Sequence, residues 1–216
     1  MRTLTNFLAF TFILSTSLVS AQTSETCKQN LSIFAESAKV KNYDAAYEPW
    51  NAVRAECPKL NRAIYTYGER ILKSRLKNAV GATKDAEAQD LMKLYDQWIE
   101  NFPSRKGKNM IGSILASKAQ TMMDYKLGTT AEVYATFDAA YTKDINSFTN
   151  PKGLYNYFKT MHALYKEGAA GVTPEKLFNK YEEVSEKFEL EGTKLAKKLD
   201  VLLKKEESGS PLTTKD

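Results

Sequence analysis

Histidine occurs once in this 216-residue chain, at His162, and cysteine twice, at Cys27 and Cys57. A single histidine rules out a multi-histidine metal site, and without a CxxC spacing the cysteines do not read as a redox or zinc-ligand pair. Glycine and proline are sparse, at 10 and 6, and fall mostly between apolar-periodic segments; long uninterrupted helices are the natural reading. There is no GxGxxG, Walker loop or HExxH, hence no signature of dinucleotide, nucleoside triphosphate or zincin chemistry. No cofactor is expected. Neither sign of charge dominates, with 31 Lys and Arg against 26 Asp and Glu. The two are interspersed, whereas a nucleic-acid footprint gathers basic residues on one face, so no nucleic-acid partner is expected. The apolar run at the start, Phe7 to Val19, is too short for a comfortable membrane span.

That run belongs to a leader. Arg2 gives a basic start, the run is diluted by Thr and Ser, and Val19-Ser20-Ala21 places small residues where a signal peptidase cuts. Residues 1–21 read as a secretory signal peptide cleaved near Ala21. No cysteine follows directly, so a lipid anchor is not expected. The exported chain begins near Gln22, carries a net charge of +4 once Arg2 is removed, and has no integral membrane segment. Its destination is the periplasm or beyond. In an oxidising compartment Cys27 and Cys57 tend to close on each other. One begins the first helix and the other ends the second, and in an antiparallel hairpin those ends are neighbours. A structural disulfide closing that loop is worth ~3–4 kcal/mol by chain-entropy reasoning.

Apolar periodicity divides the rest into about eight helices in four antiparallel hairpins, with no convincing strand. The fold class is all-α: one helical domain over residues 22–205 and a polar tail over 206–216. The first helix spans about Glu25 to Lys39, with Leu31, Phe34, Ala35 and Ala38 on its face and Ile33 and Val40 widening it. Asn42 caps the second, which carries Tyr43, Ala46, Trp50 and Val53 on one face, contains Pro49 and ends at Pro58. A third runs from Asn61 to about Asn78. Val80 to Thr83 reads as a turn before a fourth, about Asp85 to Asn101. Ser104 to Lys108 is a basic loop. Further helices follow from Asn109, from the capping box Thr129–Glu132, from Pro151 and from Thr173-Pro174. The last carries Leu177, Tyr181, Val184, Phe188, Leu195, Leu199 and Leu202 on one stripe, with a bend expected at Gly192.

The second and third helices carry a recognisable pattern. Ala46, Trp50, Val53 and Pro58 are followed by Ile64, Tyr67, Gly68 and Ile71, and Leu91, Tyr95, Trp98 and Pro103 repeat the spacing of the first four. This resembles the tetratricopeptide repeat, in which small residues let helices approach and an aromatic fills the space beside them. Pro58 to Pro103 spans 45 residues against the usual 34 of that repeat. The bulky Phe34 stands where the pattern has a small residue, which suits an end-of-stack helix. With the leader, NYDAAYEPW and ECPKLNRAIYTYGERIL, the chain is similar to exported tetratricopeptide-like proteins of the Bacteroidota. The resemblance implies a stacked α-solenoid whose concave side, lined by the first helix of each pair, binds a protein or peptide segment. Carried onto the third helix, the outward-facing residues are Arg62, Tyr65, Thr66, Glu69, Leu72 and Lys73.

Chemistry finds little support. His162 lies on a stripe with Tyr155, Phe158 and Tyr165 and reads as a packed or rim residue. The carboxylates Glu182–Glu183 and Glu189–Glu191 read as a solvated helix face rather than a glycosidase pair. No enzyme is expected. The expected function is an exported scaffold for protein–protein interaction. The alternatives are a glycan-binding module or helical enzyme of the cell envelope, and a structural fragment of a longer repeat protein. The last helix, with Lys194, Lys197, Lys198, Lys204 and Lys205 around its leucines, reads as a cover over an apolar end. The alternative there is contact with an anionic membrane surface.

Overall fold

The structure is a computed structural model that describes residues 25–211 and 213. The signal-peptide reading of residues 1–21 lies outside the described residues. Eight helices are described: α1 (25–39), α2 (Tyr43–Glu56), α3 (Ala63–Asn78), α4 (Gly81–Asn101), α5 (Ile111–Tyr125), α6 (Thr130–Asp144), α7 (Pro151–Lys166) and α8 (Pro174–Glu207). The fold is all-α, with neighbouring helices packed in pairs. One short antiparallel hairpin, β1 (Ser104–Arg105) and β2 (Lys108–Asn109), replaces the expected basic loop. Its two-residue turn, Lys106-Gly107, has positive φ at both positions, as a type I′ turn requires. The chain divides into two compact units, one ending at Phe102 and the other starting at Pro103.

In the first unit, a disulfide joins Cys27 to Cys57 with the Cα atoms 6.4 Å apart, tying the start of α1 to the end of α2. α1 buries a narrow stripe of Cys27, Phe34 and Ala38, while Ile33 and Val40 lie outside it and are exposed. Asn42 caps α2 by accepting from the Ala45 N–H at 3.3 Å. α2 runs through Pro49 and buries Ala46, Trp50 and Val53. Trp50 is fully enclosed, and its indole N–H donates to the Ile64 carbonyl of α3 at 2.6 Å. A Cβ on Gly68 would sit 2.6–2.8 Å from that indole ring, so the absent side chain is the space that Trp50 fills. Enclosing a tryptophan withdraws on the order of 200 Å² from water, an upper bound of about 5 kcal/mol. α4 begins at Gly81, whose φ is +54°, and not at Asp85: the glycine read as a turn opens the helix instead. On α4 the repeated pattern is interior, with Leu91, Tyr95 and Trp98 all buried. The Arg54 guanidinium, buried over the Trp50 ring, binds Asp90 at 2.9 Å and Gln97 at 2.7 Å and so ties α2 to α4.

The second unit is built around aromatics. Phe137, Tyr141, Phe148 and Tyr157 pack with ring centroids 5.4–6.4 Å apart. The α5–α6 approach is closer still. A Cβ on Gly112 would fall 2.0 Å from the Asp144 carbonyl oxygen, which places the start of α5 against the end of α6. Caps set the remaining helix starts. Thr129 and Glu132 form the capping box, Asn150 accepts from Gly153 ahead of Pro151, and Thr173 accepts from Lys176 ahead of Pro174. The backbone and hydroxyl hydrogen bonds from Thr129 hold the Glu132 carboxyl below the usual carboxylate range. α8 is continuous through Gly192.

Gly68→Ala gains up to about 1 kcal/mol of helix propensity and forces about 1–3 kcal/mol of overpacking against Trp50, so a net loss of about 1 kcal/mol is expected. A lower urea midpoint at constant slope checks it. The buried tyrosines give a second expectation. Burial, then the negative charges of Glu183 and Glu186, push Tyr141 up to about 12. Burial and its hydrogen bond to Asp138 push Tyr157 further in the same direction. Unfolded tyrosines ionise near 10 while these stay neutral when folded, so the unfolded state holds fewer protons and stability falls as pH rises above about 10. A tyrosinate absorbance titration run beside far-ultraviolet circular dichroism will show a late-titrating fraction that appears only with unfolding.

Candidate functional site

Of the six residues on and before α3 expected to face outward, Tyr65 and Leu72 are fully buried. Tyr65 stacks on Trp98, meets the tilted Phe102 ring at the α4 end, donates to the Pro58 carbonyl at 3.1 Å and accepts from Asn101 at 2.9 Å. The physical reason is a second apolar stripe, Tyr65, Leu72 and Leu76, which turns α3 toward α4 while Ile64, Gly68 and Ile71 include the contact with Trp50 of α2. The charged members are half-buried and engaged. Arg62 lies over the Trp98 ring at 5.2 Å. Glu69 accepts from Lys73 at 2.7 Å and from the Tyr95 hydroxyl at 2.8 Å. Thr66 bonds back to the Ala63 carbonyl at 3.5 Å. This face thus brings Arg62, Glu69 and Lys73 into the packing of its own unit and offers no apolar contact to a partner.

The exposed apolar surface is elsewhere. On α7 the inward face is Leu154, Tyr157, Met161 and Leu164. Adjacent to it run Tyr155, Phe158, His162 and Tyr165, spaced three and four apart, the stripe on which His162 reads as a packed or rim residue. Tyr155 is 58% exposed and Tyr165 39%. His162 is exposed too, with its ring 6.4 Å from Phe158. α8 faces this stripe, yet among its described residues it buries only Val184, Lys187 and Glu191. Phe178, Tyr181 and Phe188 lie exposed beside them. Phe158 and Tyr181 meet edge to face at 5.5 Å. Together with Tyr155, Val184, Phe188 and the polar Ser185 and Glu189 they line a groove of about 330 Å³.

Charge completes the picture. Within α8, Glu191 accepts from Lys187 at 2.8 Å and Lys194 at 2.7 Å. Burial works to raise its carboxyl, but the two ammonium groups overcome that and hold it below the usual range. Beyond Glu191 the helix carries Leu195, Leu199, Val201 and Leu203 in the open. The stripe expected to cover an apolar end therefore covers it only over the first half of α8, because α7 has 16 residues and α8 has 34.

A second cleft, of about 560 Å³, lies between β2 and the α6–α7 connection around Asp144. Its carboxylate accepts from the Gly112 and Ser147 N–H groups at 3.3 Å and from the Ser147 hydroxyl. Those bonds pin the α5–α6 contact and make the acid a structural group. Among the described residues there is no group of three or more His, Cys, Asp or Glu able to hold a metal ion. No described helix is long and apolar enough to cross a membrane. Compared with protein-family models, with curated proteins and with solved structures, the chain matches none.

Tyr155→Ser combined with Tyr181→Ser is expected to change the unfolding free energy by less than about 1 kcal/mol, since both rings are more than half exposed. Tyr157→Phe, which strips the hydroxyl from the buried bond to Asp138, is expected to cost about 1–2 kcal/mol. Urea titration of the two variants side by side checks that the first pair belongs to a surface and the second residue to the core.

Proposed function

We propose that the chain is an exported, tetratricopeptide-like scaffold, non-catalytic, that binds an apolar segment of a partner protein in the α7–α8 groove. The observation that carries this reading is an aromatic groove on two adjacent helices, in which Tyr155, Tyr181 and Phe188 are exposed beside the half-buried Phe158. The interior of the same unit encloses Phe137, Phe148 and Tyr157 completely, so exposure of these other rings is selective. Contiguous apolar surface rimmed by polar residues is the mark of an interaction site, and a groove between two helices accepts a third helix as a recognition mode. Export is supported by the Cys27–Cys57 bond, which persists in oxidising compartments, and by the leader-like residues 1–21. The tetratricopeptide likeness rests on Trp50 seated at Gly68 and on the repeat of that spacing in Leu91, Tyr95 and Trp98.

A second reading, a glycan seat in the cell envelope, draws on Tyr155 and Tyr181 standing beside Ser185 and Glu189, a mostly apolar wall with a few polar groups. A photo-crosslinking residue at Ser185, irradiated in intact cells, separates the two. The scaffold reading expects protein adducts at 185 that vanish when Phe158→Ala and Tyr181→Ala are added, and few adducts from the same probe at Thr66. Adducts to polysaccharide alone, or equal protein yields at 66 and 185, would falsify it.

A further inference from the structure

We infer that the occupant of the α7–α8 groove is α8 of a second copy of this chain, laid antiparallel across it; this rests on reading the groove as a partner seat. Length is the first argument. α8 is about 51 Å long and α7 about 24 Å. Past Glu191 no described residue of the helix is buried, yet it carries Leu195, Leu199 and Leu203 at about half exposure each.

Spacing is the second. Phe178, Tyr181, Ser185, Phe188, Gly192, Leu195, Leu199 and Leu202 alternate steps of three and four through four heptads. A 3.5-residue repeat of that length is the signature of a helix that coils with another helix, whereas a lone surface helix has no use for it. Buried Val184 lies beside this seam and not on it; Tyr181 meets Phe158 of α7 at the groove, while Phe188, Leu195 and Leu199 stay about half exposed.

Gly192 supplies the third. A Cβ there would meet nothing within 4 Å, so nothing in the chain's own packing asks for a glycine. Mid-helix glycine is costly, and a second backbone passing close by is what would require it. An antiparallel two-fold pairing places Gly192 opposite the other copy's Leu195, Ser185 opposite its Leu202, and Phe188 opposite its Leu199. Each small seam residue meets a leucine, and the leucines run toward the groove walls formed by Tyr155 and Phe158.

Charge decides orientation and occupant. Residues 174–191 of α8 hold six Glu against three Lys, and residues 192–207 hold five Lys against three acids. Antiparallel pairing sets the acidic half against the basic half twice over, in an isologous contact that closes. Parallel pairing would oppose like charges. An anionic membrane would attract the basic half but repel Glu182 and Glu189, which flank the same seam.

The test is sedimentation equilibrium of the full chain as purified from cells, with helix content followed by circular dichroism. A dimer is expected. Leu195→Glu with Leu199→Glu should make it monomeric at unchanged helix content, and Gly192→Leu, which favours helix, should weaken it by about tenfold or more. Ser185→Cys in one copy should oxidise to Leu202→Cys in another, with neither variant crosslinking to itself. A dimer indifferent to these substitutions, or self-crosslinking of Ser185→Cys, overturns the proposal. So does a monomer that floats with phosphatidylglycerol vesicles through Leu195 and Leu199. A monomer whose residue 185 still captures a different protein overturns the second copy and leaves the groove standing. A monomer whose groove captures nothing removes both.

Discussion

Trp50 occupies the volume that a side chain on Gly68 would need, and the first unit depends on that exchange. A bulky ring on one helix and a missing Cβ on the next let two backbones come close enough for an indole N–H to reach a main-chain carbonyl. The same device appears in the second unit with different parts. There Gly112 clears the way for the end of α6, and the Asp144 carboxylate and Ser147 secure the contact with hydrogen bonds. In both units apolar burial supplies the driving force, while a glycine sets which helices approach closely. Arg54 with Asp90 and Gln97 joins helices that burial has already placed; such a pair contributes register more than net stability.

Much of this was legible in the chain because it is written in local chemistry. The capping box at Thr129 and Glu132, the prolines after Asn150 and Thr173, and the small–aromatic spacing around Trp50 each have a mechanism that acts within a few residues. The cysteine pair was legible as well, since hairpin geometry brings Cys27 and Cys57 together. What escaped had a cause outside the local window. A repeat pattern assigns helix faces by register, and Tyr65 and Leu72 were assigned outward on that basis. Their own seven-residue spacing, extended by Leu76, points instead to α4. Gly81 reads as a break, yet its positive φ at the first helical position starts α4 early. The hairpin at Ser104–Asn109 is too short to show any alternation.

The α7–α8 face was visible, but its extent was not. Tyr155, Phe158, His162 and Tyr165 form a clear stripe, but a stripe states only that a surface is apolar and is silent about what covers it. Coverage is a question of lengths: α7 ends where half of α8 is still to come. The surface then becomes a property of the pair of helices rather than of either one, and the exposed leucines past Glu191 belong to the same account as the exposed rings before it.

The disulfide has a consequence for α1 that follows from how little else holds it. That helix encloses only Cys27, Phe34 and Ala38, and Phe34 meets Tyr67 edge to face at 6.4 Å. With the sulfur bond in place, α1 behaves as a weak ligand on a short leash, docking at an effective concentration in the millimolar range or above. Without it, the same three side chains would have to hold the far end of the helix by themselves. The Trp50–Gly68 contact lies between α2 and α3 and uses neither sulfur, so the bond bears on α1 and not on that contact.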